Sequence, residues 1–172
     1  RNGYGFDARR SRPTDTGFGY AVSLQRDGNF DSQFAQAEYQ GVHARYSVEA
    51  QGFDGDSRVR GLVSGALVGI GGRVFATPPL ETGYALVRVP GVANVPILRE
   101  NQVVGMTDEN GDLLVRGLLP FHANKLAFDT AKLPAGYDVL TPQRNVKVWR
   151  NTGTMVVLDA SAVRAVKGHF RY

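Results

Sequence analysis

The chain has 172 residues and no cysteine, so disulfides and thiol chemistry are excluded, and the length suits one domain or a piece of a larger protein. Its 20 basic and 16 acidic residues give a formal charge of +4; outside "ARRSR" at 8–12 the two signs are interleaved, which argues against a nucleic-acid groove built on one basic face with stacking aromatics. No run of about eighteen apolar residues is present, which excludes a transmembrane helix but not strands that cross a bilayer with about ten alternating residues.

The chain opens at "RNGYGF" with neither Met nor a signal peptide, and is expected to be a mature or trimmed fragment. Residues 17–26 alternate, with Phe18, Tyr20, Val22 and Leu24 on one side. A turn at "DGNFD" leads to 32–40, where Ala35, Ala37 and Tyr39 oppose Gln36, Glu38 and Gln40. The cleanest stretch is 42–51. Val42, Ala44, Tyr46, Val48 and Ala50 form one face; His43, Arg45, Ser47, Glu49 and Gln51 form the other. "GFDGDS" turns the chain again, and 58–70 reads as one Gly-rich strand. These segments exceed the usual five or six residues of soluble strands. Their apolar faces carry Ala, Val and Tyr rather than the Leu, Ile and Phe of a sandwich core, which suits a lipid-facing surface with interfacial aromatics. The pattern is equally that of a half-exposed antiparallel sheet.

Near residue 72 the character changes. Strands shorten, and Pro78, Pro79, Pro90, Pro96, Pro120 and Pro134 confine pairing to edges and strand ends. Only "DTAKLPAG" could make a helical turn. The tail returns to strand-like runs at "VKVW", "TMVVL" and "VRAVKGHFRY". The expected class is all-β and antiparallel, divided into long strands over 1–80 and shorter, final strands over 81–172.

The stretch that looks most like chemistry is "TDENGD" at 107–112. A helix–loop–helix calcium site starting at Asp108 would put Asn110 and Asp112 at positions 3 and 5. It would then need Gly at position 6 and Glu at 12, where Leu113 and Leu119 stand. Asn110-Gly111 between apolar runs instead predicts a hairpin tip with a type I′ turn, making Asp108, Asn110 and Gly111 structural. His43, His122 and His169 are too scattered for a zinc site. "GIGGR" at 69–73 lacks the Lys-Ser/Thr of a phosphate loop. No metal, cofactor or catalytic residue is expected. Trp149, the single Trp, suits an interfacial anchor or a core position.

Residues 71–134 carry a resemblance. Gly71-Gly72, "ALV" at 85–87, "PGV" at 90–92, "EN" at 100–101, "TD" at 107–108 with Gly111, "LLPF" at 118–121, Asn124 and "LP" at 133–134 resemble, in order and spacing, the C-terminal part of the outer-membrane fimbrial usher family of the chaperone–usher pathway. Departures fall at 81–82, Arg116 and Phe121, where the family has an acid, Pro and Tyr. The resemblance implies the C-terminal part of a transmembrane β-barrel in a Gram-negative outer membrane. It implies a pore and assembly platform, not an enzyme. Its partners would be fimbrial subunits, periplasmic chaperone–subunit complexes and outer-membrane lipid, with no nucleic acid. Subunits would be joined by donor-strand exchange, one strand completing another subunit's sheet. His43, Arg45, Ser47, Glu49 and Gln51 would then face the lumen. The alternative is a soluble Ig- or transthyretin-like sandwich serving as a binding or spacer module, for which 85–140 is the best stretch. About six to eight spanning strands cannot close a wide pore, since open edges in lipid are forbidden.

Overall fold

The computed structural model describes residues 3–27, 30–133 and 137–162. The chain divides into two compact units, Arg1–Leu80 and Glu81–Tyr172. The division falls just after Pro78 and Pro79, neither of which can donate to a strand ladder.

Unit 1 is an antiparallel meander of β1 (Tyr4–Arg10), β2 (Gly17–Asp27), β3 (Phe30–Gln40), β4 (Arg45–Phe53) and β5 (Asp56–Ser64), ordered in space as in sequence. β2 and β3 have 11 residues each and β4 and β5 have 9, the lengths a tilted spanning strand requires. The turn between β4 and β5 uses positive φ at Asp54 (44°) and Gly55 (91°). The turn between β3 and β4 is closed by Gly41 N–H donating to the Ala44 carbonyl at 2.9 Å. Pairing therefore begins at Gln40↔Arg45, and the strand expected over 42–51 runs instead from Arg45 to Phe53. The strand expected over 58–70 is two strands. β5 ends at Ser64, and β6 (Ala66–Ile70) pairs with β7 (Arg73–Thr77) in its own hairpin. Gly71 and Gly72, both at positive φ (61° and 78°), make that hairpin's two-residue turn.

Unit 2 is a small sandwich. One sheet holds β11 (Asp112–Leu118), β8 (Gly83–Arg88) and β15 (Gly153–Val157); β8 and β15 run parallel, the exception to an otherwise antiparallel pattern of named strands. The other holds β10 (Gln102–Met106), β9 (Pro96–Arg99), β12 (Asn124–Phe128) and β14 (Gln143–Val146). β13 (Tyr137–Val139) pairs with β16 (Ala160–Ala162), and the helical turn expected before Pro134 is a single 3-10 turn, Thr130–Lys132. Ala85, Val87, Val115 and Val156 from the first sheet share one buried cluster with Ile97, Leu126 and Phe128 from the second.

The final barrel strands expected within 81–172 are not found among its described residues, 81–133 and 137–162. Every described strand there has 3–7 residues, too few to cross a bilayer. The first sheet's inward residues close on a buried apolar core. The run at 163–172, including His169, lies outside the described residues.

Candidate functional site

The five-stranded sheet of unit 1 has two faces of opposite chemistry. Directly paired residues point to the same side of a sheet, so the pairing defines rows. On one face the rows are Phe18–Tyr39–Tyr46–Val63, then Tyr20–Ala37–Val48–Gly61, then Ala8–Val22–Ala35–Ala50–Val59, then Phe6–Leu24–Gln33–Gly52–Ser57. Aromatics mark both ends of this band: Phe18, Tyr39 and Tyr46 at one, Phe6 and Tyr4 at the other. Tyr39 and Tyr46 stack with ring centroids 6.4 Å apart. Charge enters this face at Arg10, which pairs with Tyr20 at the open edge of β1, and at the far rim, where Arg26 and Asp31 pair at 3.4 Å. From Phe18 to the row of Tyr4 and Arg26 the band runs eight residues along β2, roughly 27 Å at the rise of an antiparallel strand. That compares with an apolar band of about 25 Å on membrane barrels.

The other face is polar. Its rows are Gln40–Arg45–Ser64, then Gly19–Glu38–Ser47–Leu62, then Arg9–Ala21–Gln36–Glu49–Arg60, then Asp7–Ser23–Phe34–Gln51–Arg58. A network joins the side chains. Gln51 donates to Glu49 at 2.9 Å, and the Arg60 guanidinium lies 3.5 Å from the same carboxylate oxygen. Gln36 donates to Glu38 at 3.3 Å. Gln40 accepts from Arg45 Nε at 3.1 Å and from Arg12 at 2.7 Å, and Arg12 Nε pairs with Glu38 at 3.4 Å.

Arg12 belongs to the connection between β1 and β2, which folds over this polar face. Gly19 is the reason it can. A Cβ there would stand 2.8 Å from the Arg12 backbone nitrogen, and one at Gly17 would stand 2.5 Å from the Pro13 ring. Under this strap Gln40 is only 3% exposed. The apolar side is bare by comparison: Val48 is 54% exposed and Val59 72%. A soluble half-buried sheet has the opposite arrangement, covering its apolar face and wetting its polar one.

Of the residues read as a polar face, Arg45, Ser47, Glu49 and Gln51 alternate along β4 on that side. His43 does not. It sits in the turn before β4, with Nδ1 3.3 Å from the Ala76 carbonyl, because the Gly41–Ala44 turn delays the start of the strand beyond where the sequence pattern puts it. Missed by sequence reading were Arg12, which looks like loop, and Arg58 and Arg60, hidden in a weak pattern. A signal exists for Arg12: glycines at 17 and 19 on one strand face leave a floor for a crossing backbone.

In unit 2 the acidic stretch at 107–112 is a turn, of a different type from that expected. Gly111 N–H donates to the Asp108 carbonyl and Asp108 N–H to the Asp112 carbonyl, both at 2.9 Å. The Asp108 Oδ1 accepts from the amides of Asn110 (2.9 Å) and Asp112 (3.0 Å). Asn110 keeps negative φ, and only Gly111 (78°) takes the left-handed conformation. The flanking strands are not hairpin partners, since β10 and β11 enter different sheets. The Asp112 carboxylate is 2% exposed and held bidentately by Arg88 at 2.7 and 2.9 Å. That hydrogen bonding, and then the carboxylate's charge, raise the Arg88 guanidinium above its ordinary value. Both carboxylates are thus engaged by protein donors, and among the described residues no three His, Cys, Asp or Glu could hold a metal ion together. Titrating calcium into the protein in a calorimeter should give only heat of dilution. Micromolar binding lost in Asp108→Ala would contradict this assignment.

The family profile described as outer membrane usher protein matches residues 7–159. Among solved structures, the chain is similar to one in the cryo-EM structure of the E. coli P pilus tip assembly intermediate PapC–PapD–PapK–PapG. The two are 16% identical with a TM-score of 0.53, over 90% of this chain and 20% of that one. At that identity the likeness speaks for the fold, and the chain spans about a fifth of the length of that solved chain. A likeness to the Bacillus anthracis TIE protein has 11% identity over 94% of this chain and 34% of the other, and its TM-score of 0.36 is too low to bear on the fold. No curated protein matches the sequence.

Proposed function

Since this chain belongs to the outer membrane usher protein family, we propose that β1–β5 are staves of an usher barrel and that their polar face lines its lumen. The observation that carries this is the contrast between the two faces: the apolar rows are bare and rimmed with aromatics, while the polar rows carry a hydrogen-bond and ion-pair network and are strapped at their Gln40–Glu38 end. Bare Val, Ala and Tyr suit acyl chains, and a wet lumen suits Arg45, Ser47, Glu49, Gln51, Arg58 and Arg60. The open edges of β1 and β5 must be paired in lipid, so the barrel is completed by strands beyond these five.

In this reading the lumen passes fimbrial subunits delivered by a periplasmic chaperone, in a Gram-negative outer membrane. Its fixed charges, of both signs, offer hydrogen bonds to a passing subunit without one strong site to trap it. The pore positions subunits, and donor-strand exchange between them supplies the bonds. Unit 2 supports the sandwich reading at the level of its own fold. A binding or spacer module and a barrel segment are then two parts of one chain rather than rival accounts.

The test is solution behaviour. The 172-residue chain should be extracted from membranes only with detergent and should aggregate on its removal, because its apolar face and unpaired edges are exposed together. A monodisperse monomer with a cooperative thermal transition in plain buffer would contradict the membrane assignment.

A further inference from the structure

The strongest unassigned feature lies in unit 2, where two neighbouring loops hold apolar side chains out into solvent. Phe121 is 62% exposed, Trp149 69% and Leu119 59%. The Phe121 and Trp149 rings meet edge to face at 5.2 Å. Exposed aromatics on a mobile loop would fold back onto nearby apolar surface. Here the backbone prevents it. Phe121 N–H donates to the Val148 carbonyl at 2.9 Å, and Phe121 itself is held at φ 66°, a conformation that costs a bulky residue energy and persists only when its surroundings impose it.

The surroundings do impose it. Asn124 is 2% exposed and spends its whole side chain on backbone. Its oxygen accepts from Leu119 N–H at 2.7 Å. Its nitrogen donates to the carbonyls of Leu119 (2.9 Å), His122 (3.0 Å) and Val146 (3.3 Å). The second loop is pinned by Thr152, whose hydroxyl accepts from Trp149 N–H and donates to its carbonyl, both at 3.0 Å. The rings are thus presented on a rigid platform.

The charges carried by the two loops themselves have one sign. Lys147 and Arg150 are exposed on either side of Trp149 in sequence, and neither 119–124 nor 146–152 contains an Asp or Glu. The acid on the adjoining segment is Glu81, ahead of β8. A Leu, a Phe and a Trp at one tip, flanked by cations, match the headgroup layer of an anionic bilayer. Aromatic rings sit in that layer with an apolar body and a polar edge, and Lys and Arg there meet lipid phosphates. A protein groove would need a larger apolar area to be held by the same three side chains.

We propose that the Leu119–Phe121–Trp149 tip is a membrane-surface anchor of unit 2, taking anionic phospholipid as its partner. The proposal rests on the barrel reading of unit 1, and the experiment separates the two. Trp149 is the single Trp of the chain, so its fluorescence reports on this site alone. The full chain is reconstituted into phosphatidylglycerol-containing vesicles and into phosphatidylcholine vesicles, each with lipids brominated near the headgroup. Trp149 should be quenched by bromolipid and shielded from aqueous iodide in the anionic vesicles, and much less so in the zwitterionic ones. The double variant Lys147→Glu/Arg150→Glu, with both changes at exposed sites, should lose most of the quenching. Phe121→Ser should weaken it as well.

A Trp149 quenched by iodide and indifferent to bromolipid, in a chain where Ser47→Cys is labelled by an aqueous thiol reagent and Val48→Cys is spared, would overturn the anchor and leave the barrel standing. Protection that appears only with rising protein concentration, or only on adding a chaperone–subunit complex, would assign the tip to a protein partner and overturn it too. If the stave labelling itself fails, the barrel reading is what has failed.

Discussion

Gly111→Val is expected to abolish the cooperative unfolding transition of unit 2 or lower its stability by about 2–6 kcal/mol. Two costs add. Gly111 lies at φ 78°, where a β-branched residue is strained by about 1–3 kcal/mol. A Cβ there would also stand 2.1 Å from the Val89 carbonyl oxygen and 3.2 Å from that of Val92. Neither backbone can retreat cheaply: Val89 N–H donates to the Gly111 carbonyl at 2.8 Å, and the Val92 carbonyl accepts from the buried Thr107 hydroxyl at 3.0 Å. Overpacking of this kind costs about 1–3 kcal/mol more. The total approaches the whole stability of a domain this small. Gly91 provides the comparison. It has nearly the same φ, 72°, but a Cβ placed there would meet nothing within 4 Å; Gly91→Ala should therefore cost only the strain, about 1 kcal/mol. Urea unfolding followed by Trp149 emission measures both. Equal losses at 91 and 111 would mean that the contact with Val89 carries no weight.

The second large effect is on membrane assembly. Val48→Arg should strongly reduce assembled barrel, whereas Ser47→Arg should assemble at close to the normal level. Position 48 lies between Ala37 and Gly61 in an apolar row, and position 47 lies between Glu38 and Leu62 in a polar one. An Arg facing lipid near the midplane costs roughly 2–4 kcal/mol, and a lumen position tolerates charge. Ser47→Arg adds a cation two residues from Arg45 and from Glu49, so its effect should appear in subunit passage. The readout is the fraction of full-length protein in the heat-resistant, protease-protected form in outer-membrane preparations. Equal assembly of the two variants would remove the basis for assigning the faces.

Much of unit 1 is legible in the sequence because one physical constraint governs it: a strand whose two faces differ in chemistry must alternate. Gly17–Asp27 and Phe30–Gln40 lie within two residues of the segments read at 17–26 and 32–40. Turn geometry is less legible. Hydrophobic alternation continues through Val42 and Ala44, but the Gly41–Ala44 hydrogen bond takes both out of β4 and takes His43 with them. β1 escapes sequence reading although Tyr4, Phe6 and Ala8 alternate, since three apolar residues among Arg and Gly make too short a pattern to stand out.

Unit 2 is harder to read for a different reason. Its defining contact is the parallel pairing of β8 with β15, which joins Tyr84 to Gly153; no local pattern encodes a pairing of that span. Asn110-Gly111 correctly marks a turn, yet the Asp108 side chain captures the Asn110 and Asp112 amides and fixes a turn that delivers its two strands to different sheets. The polar network is half visible. Arg45, Glu49 and Gln51 sit in a clean alternation, but their partners Gln40, Arg12 and Arg60 come from other strands and from the strap.

If β4 separates lipid from a wet lumen, single thiols will report it without background, because the chain has no cysteine. Ser47→Cys and Val48→Cys are introduced into the full-length protein in its outer membrane and exposed to a membrane-impermeant maleimide small enough to enter the pore. Side chains at adjacent strand positions lie on opposite faces, so position 47 should be labelled and position 48 spared until the membrane is dissolved. Equal labelling at both positions, or labelling at 48 alone, would contradict it.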